Sequence, residues 1–507
     1  MRTKFSTLNI ITNLLVLVIQ TILSFVVRIV FTKILGQDYL GVESVFVNLI
    51  SMFSLAELGI TLSISFSLYK PLAENNVKKI SSLMTLYKKI YQIVGIFILI
   101  IGFLIMPFLT HFIDNTNIAN FYIIYILYLI DSAMTYLITY KEVLIIADQK
   151  NYKINKYNII AIFSTNVLQI IFLYLTKNFM IYILIKILVQ SIQRIIINRY
   201  ISKVYKDIDF NSKEKLETKE LNVIKKNVKS MFTQKIGNYL LNGTDSIIIS
   251  KFVGIGVVGI YSNFLSITTI LKSIVNSITS GITASFGNLI AKGDNKTQEN
   301  VFNIMNFIVF GITAFMVVEL YFLLNPFIAM CFGENYMIDN YCIVVICMNF
   351  YLASMLLPLD TVKSAAGIYE KDKYIPLIQA IINLMISIAL VKNIGLLGVL
   401  LGTMISYLVS TIWIRPLIIY KNIFKSSVSS YYIKYIMKLL FLIGTGFLLT
   451  LFLSKIYIEN NIFNLITKGI IIAITYSILF VIFNFKTKEF QYLKEEVKKI
   501  IKKIRKA

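Results

Sequence analysis

The chain has 507 residues, 57% of them hydrophobic and only 15% charged, with a mean hydropathy of +0.75. A soluble domain of this size carries about a quarter charged residues, so a water-soluble globular protein is excluded. The formal charge of +24 looks like a nucleic-acid signal, but its placement along the chain points elsewhere.

The apolar residues sit in continuous runs. IITNLLVLVIQTILSFVVRIVF, IYQIVGIFILIIGFLIMPFL and ITKGIIIAITYSILFVIF each approach the roughly 20 residues needed to cross a bilayer core. The runs do not alternate, which excludes a barrel. The fold class is therefore all-α, a polytopic membrane protein with about 14 transmembrane helices. Candidate spans lie near 8–30, 42–68, 90–110, 119–140, 158–176, 179–198, 231–250, 256–289, 301–324, 341–360, 375–391, 397–420, 439–454 and 462–484. The first follows MRTK without a small-residue cleavage site and is expected to be retained.

Alternating these spans sorts the connections into two sets. One set, with both termini, holds 40 of the 50 Lys and Arg residues; the opposite loops hold Lys33, Lys177, Lys251, Lys392 and Lys455. Basic residues collect in cytoplasmic loops, so both termini are expected inside. That bias accounts for the basicity without a nucleic acid. The tail EFQYLKEEVKKIIKKIRKA can lie as an amphipathic helix along anionic headgroups, or simply be solvated. Cys331, Cys342 and Cys347 form neither a metal-ligand spacing nor a disulfide framework. No metal, cofactor or catalytic constellation is expected.

A duplication organises the chain. Residues 32–46 read TKILGQDYLGVESVF and residues 250–264 read SKFVGIGVVGIYSNF. At this offset of 218 positions Gly36 meets Gly254, Gly41 meets Gly259 and Ser44 meets Ser262. Polar stripes repeat too: Gln20, Ser24 and Arg28 fall on Asn238, Asn242 and Ser246. The domains read as a six-helix bundle (1–200), a cytoplasmic linker (201–230), a second six-helix bundle (231–425), two peripheral helices (426–485) and a basic tail (486–507). An even number of spans per unit gives both bundles the same orientation, as in a parallel repeat. Polar side chains within hydrocarbon must face protein or water. Interhelical glue is the plainer account of each one; four related stripes suggest a hydrated cavity lined by spans one, two, seven and eight.

The stretch 23–80 resembles the N-terminal signature of bacterial polysaccharide-unit flippases. These belong to the superfamily that also contains multidrug and toxic-compound extruders. The resemblance rests on LG-x-x-YLG at 35–41, SLAELGI at 54–60 and LYKPLAEN at 68–75, with TDSIIISKFVG at 244–254 and VGIYSN at 258–263. It implies two six-helix bundles plus two peripheral helices. It implies alternating access that carries an undecaprenyl-pyrophosphate-linked oligosaccharide from the inner to the outer leaflet. Membrane lipids and a polymerase of the same glycan pathway are the implied partners, and the bacterial cytoplasmic membrane the implied location.

Such cargo needs a wet cavity, cations for its phosphates and an opening for its tail. Lys468 and Lys186 enter near the outer boundary, where long basic side chains snorkel to the interface. Arg28, Lys235 and above all Lys272 are the cavity cations, with Gln20, Ser24, Asn238, Asn242 and Asn276 as polar lining. The resemblance to lipid II flippases implies pyrophosphate-binding arginines on the first, second and eighth helices. Arg28 and Lys272 occupy the first and eighth; the second carries Glu57 instead. Asp245, Asp131, Glu57 and Glu319 are candidates for ion coupling, or counter-charges to the lysines. Two other readings are a small-molecule or drug exporter on the same fold, and a membrane polymerase or O-acyltransferase. The cavity cations disfavour the first; the single His111 and short outer loops disfavour the second.

Overall fold

The computed structural model describes residues 2–504 apart from 54–57, 114–117, 215, 217, 219–220, 223–236, 238–239, 241–242, 292, 369–370 and 454–460. Glu57, Lys235, Asn238 and Asn242 therefore lie outside the described residues. The rest is helical, in two compact units, residues 1–262 and 263–507.

The first unit contains α1 (Arg2–Leu35), α2 (Gln37–Phe53), α3 (Leu58–Ala73), α4 (Val77–Ile105), α5 (Phe121–Thr139), α6 (Glu142–Ala147), α7 (Tyr152–Thr176) and α8 (Phe179–Val204). Residues 243–252 are also helical, and α9 (Ile255–Ala291) begins here. Helix α7 lies along both α1 and α8, and α4 lies along α5. Local chemistry sets the turns. Gly36, at φ +90°, ends α1 by returning its N–H to the Thr32 carbonyl at 3.0 Å. The Asn178 side chain caps α8 by accepting from the Met180 N–H at 2.8 Å. Phe31, Tyr39, Phe179 and Tyr182 interlock edge to face, with Phe31–Tyr182 centroids 4.9 Å apart, and pin the α1–α2 turn to the start of α8.

The second unit holds most of α9 and then α10 (Asn295–Phe332), α11 (Asn340–Met355), α12 (Leu357–Ala366), α13 (Ile375–Ser406), α14 (Ile412–Ile419), α15 (Ser429–Leu453), α16 (Asn461–Asn484) and α17 (Lys488–Ile504). Asp294 caps α10 by accepting from the Lys296 and Thr297 N–H groups. Pro358 and Pro376 fall in the first turns of α12 and α13, where a missing N–H costs nothing. Helix α13 is a hairpin. Its helical dihedrals break at Ile394 and Gly395 (φ +55°), and its arms are stitched by Asn383 donating to Thr403 at 2.7 Å and Ser387 donating to the Val399 carbonyl.

The outer surfaces are apolar. Along α16, Ile462, Ile466, Ile470, Ile474, Ile478 and Ile482 are all more than half exposed, at four-residue intervals. That ladder is costly in water and costs nothing against lipid tails. Among the described residues eleven segments are long and apolar enough to cross a bilayer. The expectation of fourteen differs for three identifiable reasons. Residues 42–68 include undescribed positions and leave two shorter helices. Residues 231–250 are only half described. The α13 hairpin and its extension run as one helical stretch from Ile375 to Phe424.

Candidate functional site

Inside the first unit, a cavity of about 410 Å³ lies between α1, α2, α7 and α8. Gln20 and Ser24 come from α1, Glu43 from α2, Asn158, Thr165, Asn166 and Gln169 from α7, and Tyr182, Lys186, Gln190 and Gln193 from α8. The residues of α7 and α8 recur at three-, four- and seven-residue spacings, which puts each set on one helix face. Several are tied together: Gln193 donates to Asn158 Oδ1 at 2.6 Å, and Gln169 donates to the Tyr182 carbonyl at 3.1 Å. Thr165 is 6% exposed, and its Oγ1 has no hydrogen-bond partner among the described residues.

The charges around this cavity compensate each other. Arg194 Nη1 donates to Asp131 Oδ1 at 2.9 Å, and Arg194 Nη2 to Gln190 Oε1 at 3.1 Å. Lys186 Nζ lies 4.0 Å from Asp131 Oδ2 and 5.4 Å above the centre of the Tyr128 ring. Tyr128 Oη donates to Glu43 Oε1 at 2.9 Å. Lys186 thus turns inward to a carboxylate and does not snorkel outward, correcting that expectation; an ammonium in apolar surroundings gains more from a counter-charge than from a partial reach to the interface. Just beyond the membrane-spanning helices, burial pushes the Glu142 carboxyl up to about 7, opposed by the Arg194 charge.

Arg28 donates to Ser262 Oγ, the residue that the duplication pairs with Ser44. Glu43 also attracts the Arg28 guanidinium. Asn48 donates to Ser246 Oγ at 2.9 Å. The two copies of the glycine motif meet here. A Cβ on Gly41 would stand 2.1 Å from the Ile255 carbonyl oxygen, and one on Gly259 would stand 1.9 Å from that of Gln37. Only glycine permits this approach. Asp245 is buried in the same unit.

In the second unit Lys272 is partly buried and Asn276 exposed on α9. A second cavity, of about 500 Å³, lies between α9, α10 and α16, and its lining is apolar except for Glu319. Glu319 Oε2 is buried without a hydrogen-bond partner among the described residues. Separately, Asp372, 1% exposed, accepts from Lys363 Nζ at 2.9 Å and lies 3.5 Å from Arg415 Nε, while Asp360 lies 2.9 Å from Arg415 Nη1. This network joins α12 to α14. Among the described residues no group of three or more His, Cys, Asp or Glu side chains gathers to hold a metal.

The structure therefore brings Gln20, Ser24 and, behind the lining, Asp131 to one cavity, sets Arg28 against Ser262, and places Lys272, Asn276 and Glu319 on the other unit. Reading the sequence missed Glu43, Arg194 and the amide stripes of α7 and α8. The signal was available: Lys186, Gln190, Gln193 and Arg194 share one helix face within an otherwise apolar stretch.

The fold is all-α and polytopic, with a polar cavity among apolar helices. The family model described as "Polysaccharide biosynthesis protein" matches residues 6–283, more than half of the chain. The chain belongs to that polysaccharide-biosynthesis family. No curated protein matches. Among solved structures the chain is similar to the lipid II flippase MurJ in an inward closed conformation, at 14% identity and TM-score 0.68, over 95% of this chain and 99% of that one. It is also similar to an inward-facing multidrug resistance MATE family transporter of the MOP superfamily, at 12% identity and TM-score 0.57, over 78% and 93%. The bent form of the Vibrio cholerae MATE transporter VcmN matches at 11% identity and TM-score 0.52, over 80% and 96%.

Proposed function

We propose that this protein is a flippase carrying an undecaprenyl-pyrophosphate-linked oligosaccharide repeat unit from the inner to the outer leaflet of the bacterial cytoplasmic membrane, by alternating access, for surface polysaccharide assembly. Both termini are cytoplasmic, and there are fourteen spans in two six-helix bundles plus two peripheral helices. The eleven apolar segments, with the two arms of α13 counted separately and the α2–α3 pair as one span, account for thirteen, and the fourteenth is residues 231–250.

The observation that carries the reading is the polar cavity between apolar helices of a polysaccharide-biosynthesis protein. A sugar head group cannot cross hydrocarbon without such a lining. In this reading Arg28, Lys272 and Lys235 are phosphate-binding cations, and Asn238, Asn242 and Asn276 are polar lining. The apolar cavity of the second unit takes part of the lipid tail. Asp131, Asp245, Glu57 or Glu319 exchanges a proton or sodium ion as the cavity changes its exposure.

The test is surface display of glycan in cells that depend on this chain. Arg28→Ala and Lys272→Ala abolish display while the protein still inserts; normal display by both variants rejects the phosphate role. A second reading, an exporter of small lipophilic cations, draws on Glu319 as the single charge in an apolar cavity. Drug resistance conferred without any effect on surface glycan would favour it.

A further inference from the structure

We infer that the cavity of the N-terminal unit binds neutral sugar residues, and that it is a subsite separate from the one that holds the phosphates. The inference rests on the flippase reading for its cargo and on the cavity itself for its chemistry.

Six amide side chains line the cavity: Gln20, Asn158, Asn166, Gln169, Gln190 and Gln193. Each carries an acceptor oxygen and two N–H donors. A sugar hydroxyl likewise donates and accepts, so an amide meets it in either direction, whereas a phosphate oxygen only accepts. The existing hydrogen bonds leave capacity free. Gln190 accepts from Arg194 through Oε1, which leaves its NH₂ group for a ligand. Gln169 spends an N–H on the Tyr182 carbonyl and keeps its oxygen. Thr165 also contributes to the lining.

The charges at the wall are largely paired within the protein: Lys186 and Arg194 converge on Asp131, and Glu43 faces Arg28. A phosphate or sugar acid would compete with Asp131 for Lys186 and approach Glu43. A neutral polyol does neither. The volume of about 410 Å³ lies within the range of small-molecule sites, roughly 300–1,000 Å³.

The experiment uses the full-length protein in lipid nanodiscs and saturation-transfer NMR with four probes: glucose, N-acetylglucosamine, glucuronate and inorganic pyrophosphate. A neutral sugar binds, and glucuronate and pyrophosphate do not displace it. Gln190→Leu and Gln20→Leu each weaken sugar binding on the order of tenfold, the worth of one good hydrogen bond, and leave pyrophosphate binding unchanged. Gln20 is exposed on α1, so its variant keeps the wild-type melting temperature and guards against a folding artefact. Binding of no sugar, wild-type sugar affinity in both variants, or displacement of sugar by pyrophosphate overturns the inference. Proteoliposomes loaded with a fluorescent undecaprenyl-pyrophosphoryl sugar separate the two readings. Flipping without free-sugar binding removes the subsite and keeps the flippase; free-sugar binding without flipping removes the flippase and keeps the subsite.

Discussion

Gly259 packs against Gly41 so closely that a Cβ on Gly259 would stand 3.1 Å from the Gly41 nitrogen. The two residues are 218 positions apart and occupy the same place in the repeated motif. A duplicated glycine is thus a requirement of two backbones in contact. Gly36 and Gly254, the other equivalent pair, both adopt positive φ, +90° and +124°, and set the angle at which each chain segment enters the contact.

Gly259→Ala forces the Gln37 carbonyl away and costs about 1–3 kcal/mol, as overpacking of a tight site does. Thermal unfolding of the purified protein reads this as a lower melting temperature. Gly281→Ala on α9, where a Cβ meets nothing within 4 Å, leaves the melting temperature unchanged or slightly higher.

Arg194→Met leaves Asp131 with only the more distant Lys186, at 4.0 Å. Stranding a buried charge costs about 3–5 kcal/mol. The double variant Arg194→Met, Asp131→Asn recovers much of that loss, and a double-mutant cycle on melting temperatures measures the coupling. Simple additivity of the two single changes contradicts the pairing.

Glu142 gives a pH signature. In the folded protein its carboxyl keeps a proton up to about pH 7, whereas an unperturbed glutamate ionises near 4.5. Between these values the folded state binds more protons than the unfolded state, so this group's contribution to stability falls as pH rises and stays low above 7. Glu142→Gln therefore raises the melting temperature at pH 8 and leaves it unchanged at pH 4.

Asp372→Asn removes the buried carboxylate shared by Lys363 and Arg415 inside the second unit and leaves the half-exposed Asp360 as a counter-charge. The variant is destabilised by about 3–5 kcal/mol, seen as earlier thermal aggregation. Asp360→Asn, at a residue open to solvent, costs less.

The helix inventory was legible because hydrocarbon imposes one rule along the chain: long uninterrupted apolar runs. Even the α13 hairpin was readable as two spans, since residues 393–398, NIGLLG, put a glycine where the turn falls. The cavity was less legible. Gln20 and Ser24 stood out as a stripe on α1, but Lys186 was misplaced at the interface because its partners, Asp131 and Tyr128, sit on another helix. Arg194 falls near the end of the span 179–198, where a basic residue reads as the start of a loop, yet α8 continues to Val204 and keeps it helical. Local pattern reveals which face of a helix is polar; only packing reveals what that face is set against.

The turn at Ile394–Gly395 joins two apolar helical arms with essentially no connecting loop. Ser387 and Val399 stitch the arms close to that turn, so a peptide tag or protease site inserted there would strain the bond, and labels belong in other connections.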